Sequence, residues 1–259
     1  MIANELALPA RYFSPFCYPK SWTMNLILLV PEQRLAEDRY QLSERQFEHI
    51  TQVLKKTDGE HLRVGVLNQK IGAARFDEPA RQVVLETLDQ APPSALPMTL
   101  VMALPRPNML KRTLMNATAM GVKSIHLLNS AKVEKSYWQS PVLQPESLHG
   151  FLLEGLEQAR DTQLPVLHMH KRFRPFVEDI LPNLLKNNLG LLAHPYNAAA
   201  CPVDLDESCV LAIGPEGGWN EFEVEKWLSA GMQAVHLGER ILKVETAIPV
   251  LLSRLYPAK

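Results

Sequence analysis

The chain has 259 residues, with 27 lysines and arginines against 28 aspartates and glutamates, a formal net charge of -1. Its length suits one large domain or two small ones, and 46% hydrophobic with 21% charged residues is ordinary globular usage, which excludes a disordered or fibrous chain. Near-neutrality excludes a uniformly basic nucleic-acid coat but leaves room for a local basic face.

Residues 1–23 hold Pro9, Pro15 and Pro19 and no continuous apolar stretch, unlike a cleaved secretory signal. They read as an N-terminal extension before Met24, a second methionine at the start of the first strand-like run. The apolar run from Leu26 to Pro31 is far shorter than the ~20 residues that span a bilayer, so no membrane segment is expected. Strand-like runs follow at Met24 to Val30, His61 to Leu67, Ile71 to Phe76 and Gln82 to Thr87. Between the first two, Ser43 and Gln46 form a capping box, and Phe47, Ile50, Val53 and Leu54 recur at helical spacing up to Thr57-Asp58-Gly59. Short strands around a single helix predict a small β-barrel over residues 24–91.

Ala91-Pro92-Pro93-Ser94-Ala95-Leu96-Pro97 reads as a stiff linker, because each proline fixes its own backbone and restricts its predecessor. Strands and helices then alternate over residues 98–259. Strands are expected at Met98 to Leu104, Val122 to Leu128, Val166 to His170, Gly190 to His194, Val210 to Gly214 and Ala234 to Gly238. Helices are expected at Asn108 to Met120, from Pro145 to Ala159, and near Phe176 to Lys186, Glu221 to Ala230 and Thr246 to Tyr256. This pattern predicts an open α/β sheet of about six parallel strands.

Ligands of such sheets bind beyond the carboxyl ends of strands. Three of these ends fall in the last third of the chain: His194-Pro195-Tyr196-Asn197, Gly214-Pro215-Glu216-Gly217-Gly218-Trp219-Asn220, and Gly238 to Thr246. One shared crevice would hold them all. The glycines permit close approach of a ligand, and Asn220 with Glu223 marks a helix start. A P-loop is excluded because no Gly-Lys-Ser/Thr follows, and the dinucleotide spacing Gly-x-Gly-x-x-Gly is absent. An ordinary strand-to-helix turn is the plain alternative, as a salt bridge at the start of the last helix is for Arg240 and Glu245. His168 and His170 share one face of a strand, but no third ligand lies near them in sequence, so no metal site is expected. Cys17, Cys201 and Cys209 have no zinc-knuckle spacing and read as thiols of a reducing cytoplasm.

Charge is partitioned along the chain. Residues 98–175 carry 10 basic against 5 acidic residues, and residues 176–259 carry 6 against 11. The basic stretch contributes Arg106, Lys111, Arg112, Lys132, Lys135, Lys171, Arg172 and Arg174, interleaved with Tyr137 and Trp138, a composition suited to phosphate contacts and base stacking. A solvated surface is its alternative. Of these basic residues, Arg106, Lys111, Arg112, Lys132 and Lys135, together with Lys55 and Lys56 after the front helix and Arg160, are the candidate RNA contacts.

Ile213-Gly-Pro-Glu-Gly-Gly218, followed by Leu237-Gly-Glu-Arg-Ile-Leu-Lys-Val-Glu-Thr-Ala247, resembles the paired signature of the bacterial 16S ribosomal RNA uracil-N3 methyltransferases, of the SPOUT class. Glu48-His49-Ile50, Ala103-Leu104-Pro105, Ala119-Met120-Gly121-Val122, Glu157-Gln158-Ala159-Arg160 and His194-Pro195 match in order. The resemblance covers roughly residues 24–256. It implies a PUA-like RNA-binding barrel, then a methyltransferase domain with a trefoil knot, acting as a cytoplasmic homodimer on 16S ribosomal RNA or the small ribosomal subunit. S-adenosylmethionine is the implied cofactor, held by His194, Pro195, Gly214, Glu216, Gly217, Gly218, Leu237, Gly238, Ile241 and Leu242. Arg240 and Glu245 are the implied catalytic pair, with Arg240 stabilising the uracil anion and Glu245 orienting it or accepting a hydrogen bond from the substrate. Departures from the family pattern fall at Arg106 to Arg112, at Ser130-Ala131-Lys132 and at Lys243-Val244. They leave a second expectation, a ribosomal-RNA-binding, ribosome-associated protein of the same fold with an altered target or no turnover.

Overall fold

The computed structural model describes residues 26–258. The expected extension, Cys17 and the strand start at Met24 lie outside the described residues. Elements are numbered in chain order.

The first strand, β1 (Ile27–Leu29), pairs in parallel with β3 (His61–Val66). Successive strand side chains point to opposite faces, and here both faces are apolar, so both must be covered. Ile27 and Leu29 join Val64, Phe76 and Val83 in the core of the front sheet, while Leu26 and Leu28 turn the other way onto Leu156. With β2 (Arg39–Gln41), β4 (Ile71–Asp77) and β5 (Gln82–Gln90), these strands form a five-stranded sheet of order β1-β3-β4-β5-β2. The three-residue β2 has no sequence signature and exists through its pairing with β5.

The front helix α1 (Glu44–Glu48) starts at the expected cap, with the Gln46 amide donating to Ser43 Oγ at 3.3 Å and the Ser43 amide donating to Gln46 Oε1 at 3.0 Å. It then widens into a π-helical turn over His49–Val53. The wider turn breaks the spacing that should keep Val53 beside Ile50. Ile50 is fully buried and Val53 is 62% exposed, which corrects the expectation that Val53 lies on the apolar face.

Beyond the proline segment, the second sheet comprises β6 (Met98–Ala103), β7 (Ser124–Leu128), β8 (Val166–His170), β9 (Leu189–Ala193), β10 (Ala199–Ala200), β11 (Cys209–Ile213) and β12 (Gln233–His236). All pairs are parallel, in the order β10-β12-β9-β11-β6-β7-β8. The seventh strand, β10, is only two residues long. The central β11 is buried throughout, which is why it reads as a continuous apolar run. Helices α2 (Pro107–Ala119), α3 (Pro145–Ala159), α6 (Glu221–Ser229) and α7 (Val244–Leu255) match their expected positions to within one or two residues. The helix expected over Phe176 to Lys186 is instead composite: α4 (Phe173–Pro175), a π-helical turn over Phe176–Ile180, and α5 (Leu181–Leu184). Pro182 cannot donate to the Glu178 carbonyl, and it sits in the first turn of α5, where the ladder is already interrupted after the π-helical turn.

The chain leaving β9 is fastened along β12 and the end of α7. His194 N donates to Val235 O at 3.0 Å, Cys201 N to His236 O at 2.9 Å and Leu205 N to Leu255 O at 2.7 Å. The two sheets meet over α3 and the turn that follows it. Leu156 fills the apolar seam, Asn68 N donates to Thr162 O at 2.7 Å, and both carboxylate oxygens of Glu157 accept from Arg45 at 2.8 Å. Leu156→Ala removes a fully buried side chain from this seam and is expected to cost about 2–5 kcal/mol, read as a lower urea midpoint.

His126 on β7 stacks against His168 and His170 on β8, with His126 Nδ1 2.9 Å from His170 Nε2. Among the described residues no cluster of three or more His, Cys, Asp or Glu side chains is arranged to hold a metal ion. Burial first, then the neighbouring histidines, pushes the His126 imidazole down to about 4 from an ordinary value near 6.5. A group that releases its proton on folding takes it up again on unfolding, so its contribution is intact above about pH 6.5 and is lost as pH falls toward about 4. Denaturant melts at pH 7 and pH 5 should show this loss, and His126→Leu should flatten it.

Candidate active site

The strand register fixes the site. Ile213 of β11 and Val235 of β12 both pair with Ala193 of β9, so the three strands stop at one level. The chain then leaves β9 at His194, β11 at Gly214 and, one residue further on, β12 at Leu237, and the three loops face one another across a cavity of about 860 Å³. All ten residues expected to hold a cofactor line this cavity: His194, Pro195, Gly214, Glu216, Gly217, Gly218, Leu237, Gly238, Ile241 and Leu242. Val244, Ala247 and Leu251 of α7 form one wall, and Val224 and Leu228 of α6 another.

The glycine loop is held from inside and outside. Trp219 is buried and packs edge-on against Trp227 at 5.4 Å between ring centroids, which anchors the end of the loop in the core. Gly218 has φ of +69°, a left-handed conformation that favours glycine. Gly217 was expected to admit the cofactor, but a side chain there would meet Lys132 Cδ at 3.0 Å. The space beside Gly217 is therefore taken up by a lysine stem from the loop after β7.

The same capping box that starts α6 also ties two loops together. Glu223 N donates to Asn220 Oδ1 at 2.7 Å, and the Glu223 carboxylate accepts from Asn220 N at 3.0 Å and from Ala131 N at 2.7 Å. The carboxylate is 2% exposed, and ion-dipole contacts to two amides offset its burial. The Asn220/Glu223 spacing reveals the cap, but nothing in sequence reveals the bond to Ala131, 92 residues away. Trp219 and Tyr196 also line the cavity; both lie in loops that the sequence points to, but neither was among the expected site residues.

Arg240 lines the cavity, is exposed, and has no ion pair among the described residues. Glu245 sits in the first turn of α7 but does not line the cavity, because Val244 and Ala247 occupy the inward stripe. No hydrogen bond or ion pair joins Arg240 to Glu245, so in this structure Glu245 does not orient the guanidinium. Burial, and then the charge of Lys132, holds the His194 imidazole below its ordinary range.

The expected RNA contacts do not form one uninterrupted patch. Arg106 precedes α2 and lies 3.9 Å from Glu216, and Lys132 donates to Gly217 O at 2.7 Å. Lys111 pairs with Glu154 of α3 at 2.8 Å, and Lys56 pairs with Glu60 at 2.9 Å. Arg112, Lys135 and Lys55 are exposed, and Arg160 closes α3 in a left-handed conformation with φ of +54°.

The family model described as RNA methyltransferase domain matches residues 92–256, and the chain belongs to that family. It is 32% identical to ribosomal RNA small subunit methyltransferase E of Treponema pallidum over 86% of this chain and 87% of that protein. It is 26% identical to the Synechocystis protein of the same name, over 96% of this chain and 82% of the relative. Among solved structures, a Legionella pneumophila protein in complex with the bound cofactor SAM superposes with a TM-score of 0.70 at 23% identity, covering 88% of this chain and 95% of that one. Ribosomal RNA small subunit methyltransferase E of Neisseria gonorrhoeae, bound to S-adenosyl methionine, gives 0.69 at 21% identity with the same coverage. These likenesses establish the α/β fold with its parallel sheet.

Glu223→Ala leaves two amides without their acceptor and is expected to cost about 1–3 kcal/mol. Hydrogen exchange at Ala131 should accelerate, which a thermal melt alone would not reveal.

Proposed function

We propose that this chain is an S-adenosylmethionine-dependent methyltransferase that modifies N3 of a uridine in 16S ribosomal RNA. The observation that carries the reading is that the ten expected cofactor residues line one cavity, at the carboxyl ends of three parallel strands, in a chain of the RNA methyltransferase domain family. The cavity suits the cofactor. Its volume of about 860 Å³ is in the range of small-molecule sites. Leu237, Ile241 and Leu242 offer apolar contact to an adenine, and Glu216, Glu221 and Glu225 give negative charge suited to a sulfonium and an ammonium.

When bound, S-adenosylmethionine supplies an electrophilic methyl group. The protein's own work is positioning and charge stabilisation. Uracil N3 carries a proton that must pass to solvent water or a base before attack, and Arg240, which lines the cavity and has no ion pair among the described residues, stabilises the resulting anion. Glu245 is left with the second of its expected roles, accepting a hydrogen bond from the substrate. The His194 ring lies at the cavity beside the cofactor loops.

RNA reaches the site across the basic loops that follow β6 and β7, with the front sheet acting as a PUA-like barrel. The reading includes a trefoil knot in this domain, with which the position of β12 on the far side of β9 from β11 is compatible. Homodimerisation is supported by apolar side chains left exposed, Ile241 at 73% and Leu228 at the cavity, and Phe222 elsewhere on α6. No helix among the described residues is long and apolar enough to cross a membrane, and ribosomal RNA as substrate goes with a cytoplasmic location.

The second reading, a ribosomal-RNA-binding protein of the same fold without turnover, draws on the departures at Arg106 to Arg112, Ser130-Ala131-Lys132 and Lys243-Val244. Transfer of labelled methyl to 16S RNA separates the two. Arg240→Ala should abolish transfer while leaving S-adenosylmethionine binding within a few-fold, and near-normal turnover overturns its role. Mass spectrometry of 16S nucleosides from a strain lacking the gene should show one N3-methyluridine missing, and persistence of every methyluridine overturns the target.

A further inference from the structure

The basic loop after β7 and the glycine loop after β11 are fastened to each other on two sides. On the buried side, the Glu223 carboxylate accepts from Ala131 N and from Asn220 N. On the exposed side, Lys132 Nζ donates to the Gly217 carbonyl at 2.7 Å, and Arg106 Nε stands 3.9 Å from Glu216 Oε1. Gly217 has no side chain, so the lysine stem lies directly against the loop. Two residues expected to meet RNA phosphates are thus in contact with the loop expected to hold the cofactor.

A lysine ammonium has three donors. The Gly217 carbonyl takes one, and the side chain is otherwise exposed, leaving two for an anion. We propose that Lys132 is a positioning residue that bridges the Gly217 carbonyl and an RNA phosphate at once, so that binding of RNA and of S-adenosylmethionine strengthen each other. This rests on the reading of the chain as an RNA methyltransferase with its basic loops toward the substrate. An exposed lysine loses rotamer freedom when it holds a carbonyl. A phosphate that orders the ammonium bears that cost, and the glycine loop is then held more firmly for the cofactor. By linkage the effect is reciprocal, so the cofactor tightens RNA binding by the same factor.

The test measures the dissociation constant of S-adenosylhomocysteine, a ligand that cannot transfer a methyl group, for the full chain alone and with saturating 16S ribosomal RNA or isolated small subunits. RNA affinity is measured with and without the same ligand. Wild type should bind the ligand at least about fivefold more tightly with RNA present. Lys132→Met keeps the stem on Gly217 and removes the ammonium, and its factor should fall close to one. Lys132→Arg retains a cation and should keep part of the factor, which separates loss of the bridge from loss of the fold. Arg112→Met, in the same basic region but away from the loop, should weaken RNA binding and keep the wild-type factor at saturation. A full factor in Lys132→Met, or RNA weakening ligand binding in wild type, overturns the bridge. Binding of both ligands without coupling overturns the bridge alone, whereas binding of the cofactor analogue without any ribosomal RNA overturns the substrate reading as well.

Discussion

The parallel pairing of β9 with β11 on one side and β12 on the other is the constraint on which the site depends. Backbone hydrogen bonds set Ala193, Ile213 and Val235 side by side, and that register brings three separately encoded loops to one rim. A one-residue slip in either pairing would move a loop along the rim and turn its strand's side chains to the opposite face. The apolar burial of β11 on both faces holds the register, because any slip would expose part of a run that is buried end to end. Catalysis by positioning needs such a rigid frame, and here it comes from the central strands rather than from the loops.

The loops are tied to one another by polar contacts. Glu223 shows how one side chain serves two purposes: it caps α6 and it holds the amide of Ala131. Because the carboxylate is buried, those bonds are electrostatically stronger than they would be in water, and the loop after β7 becomes part of the cavity wall. Lys132 then reaches the cavity from a strand end that lies beyond β6 in the sheet. The acidic last third of the chain and the basic middle third meet at this contact, so the near-zero net charge is a cancellation between two segments of opposite sign.

Much of the fold could be read from local pattern. Apolar runs bounded by glycine and proline marked six strands of the second sheet, and helical spacing with caps marked α2, α3, α6 and α7. The misses have physical causes. β2 and β10 are too short to carry a periodicity and are made by their neighbours. Val53 and the composite helix around Pro182 follow from π-helical turns, which change the period on which the reading depends.

For the site, the sequence by itself determined the donor loops and their residue types, since glycines, prolines and helix caps act within a few residues and leave a local trace. It also determined where positive and negative charge lie along the chain. Only the tertiary structure decided that Lys132 fills the space beside Gly217, that Glu223 reaches Ala131, and that Arg240 stands apart from Glu245. Those outcomes depend on contacts between segments tens of residues apart, or on which face a helix turns inward, and packing fixes both only after the sheet has formed.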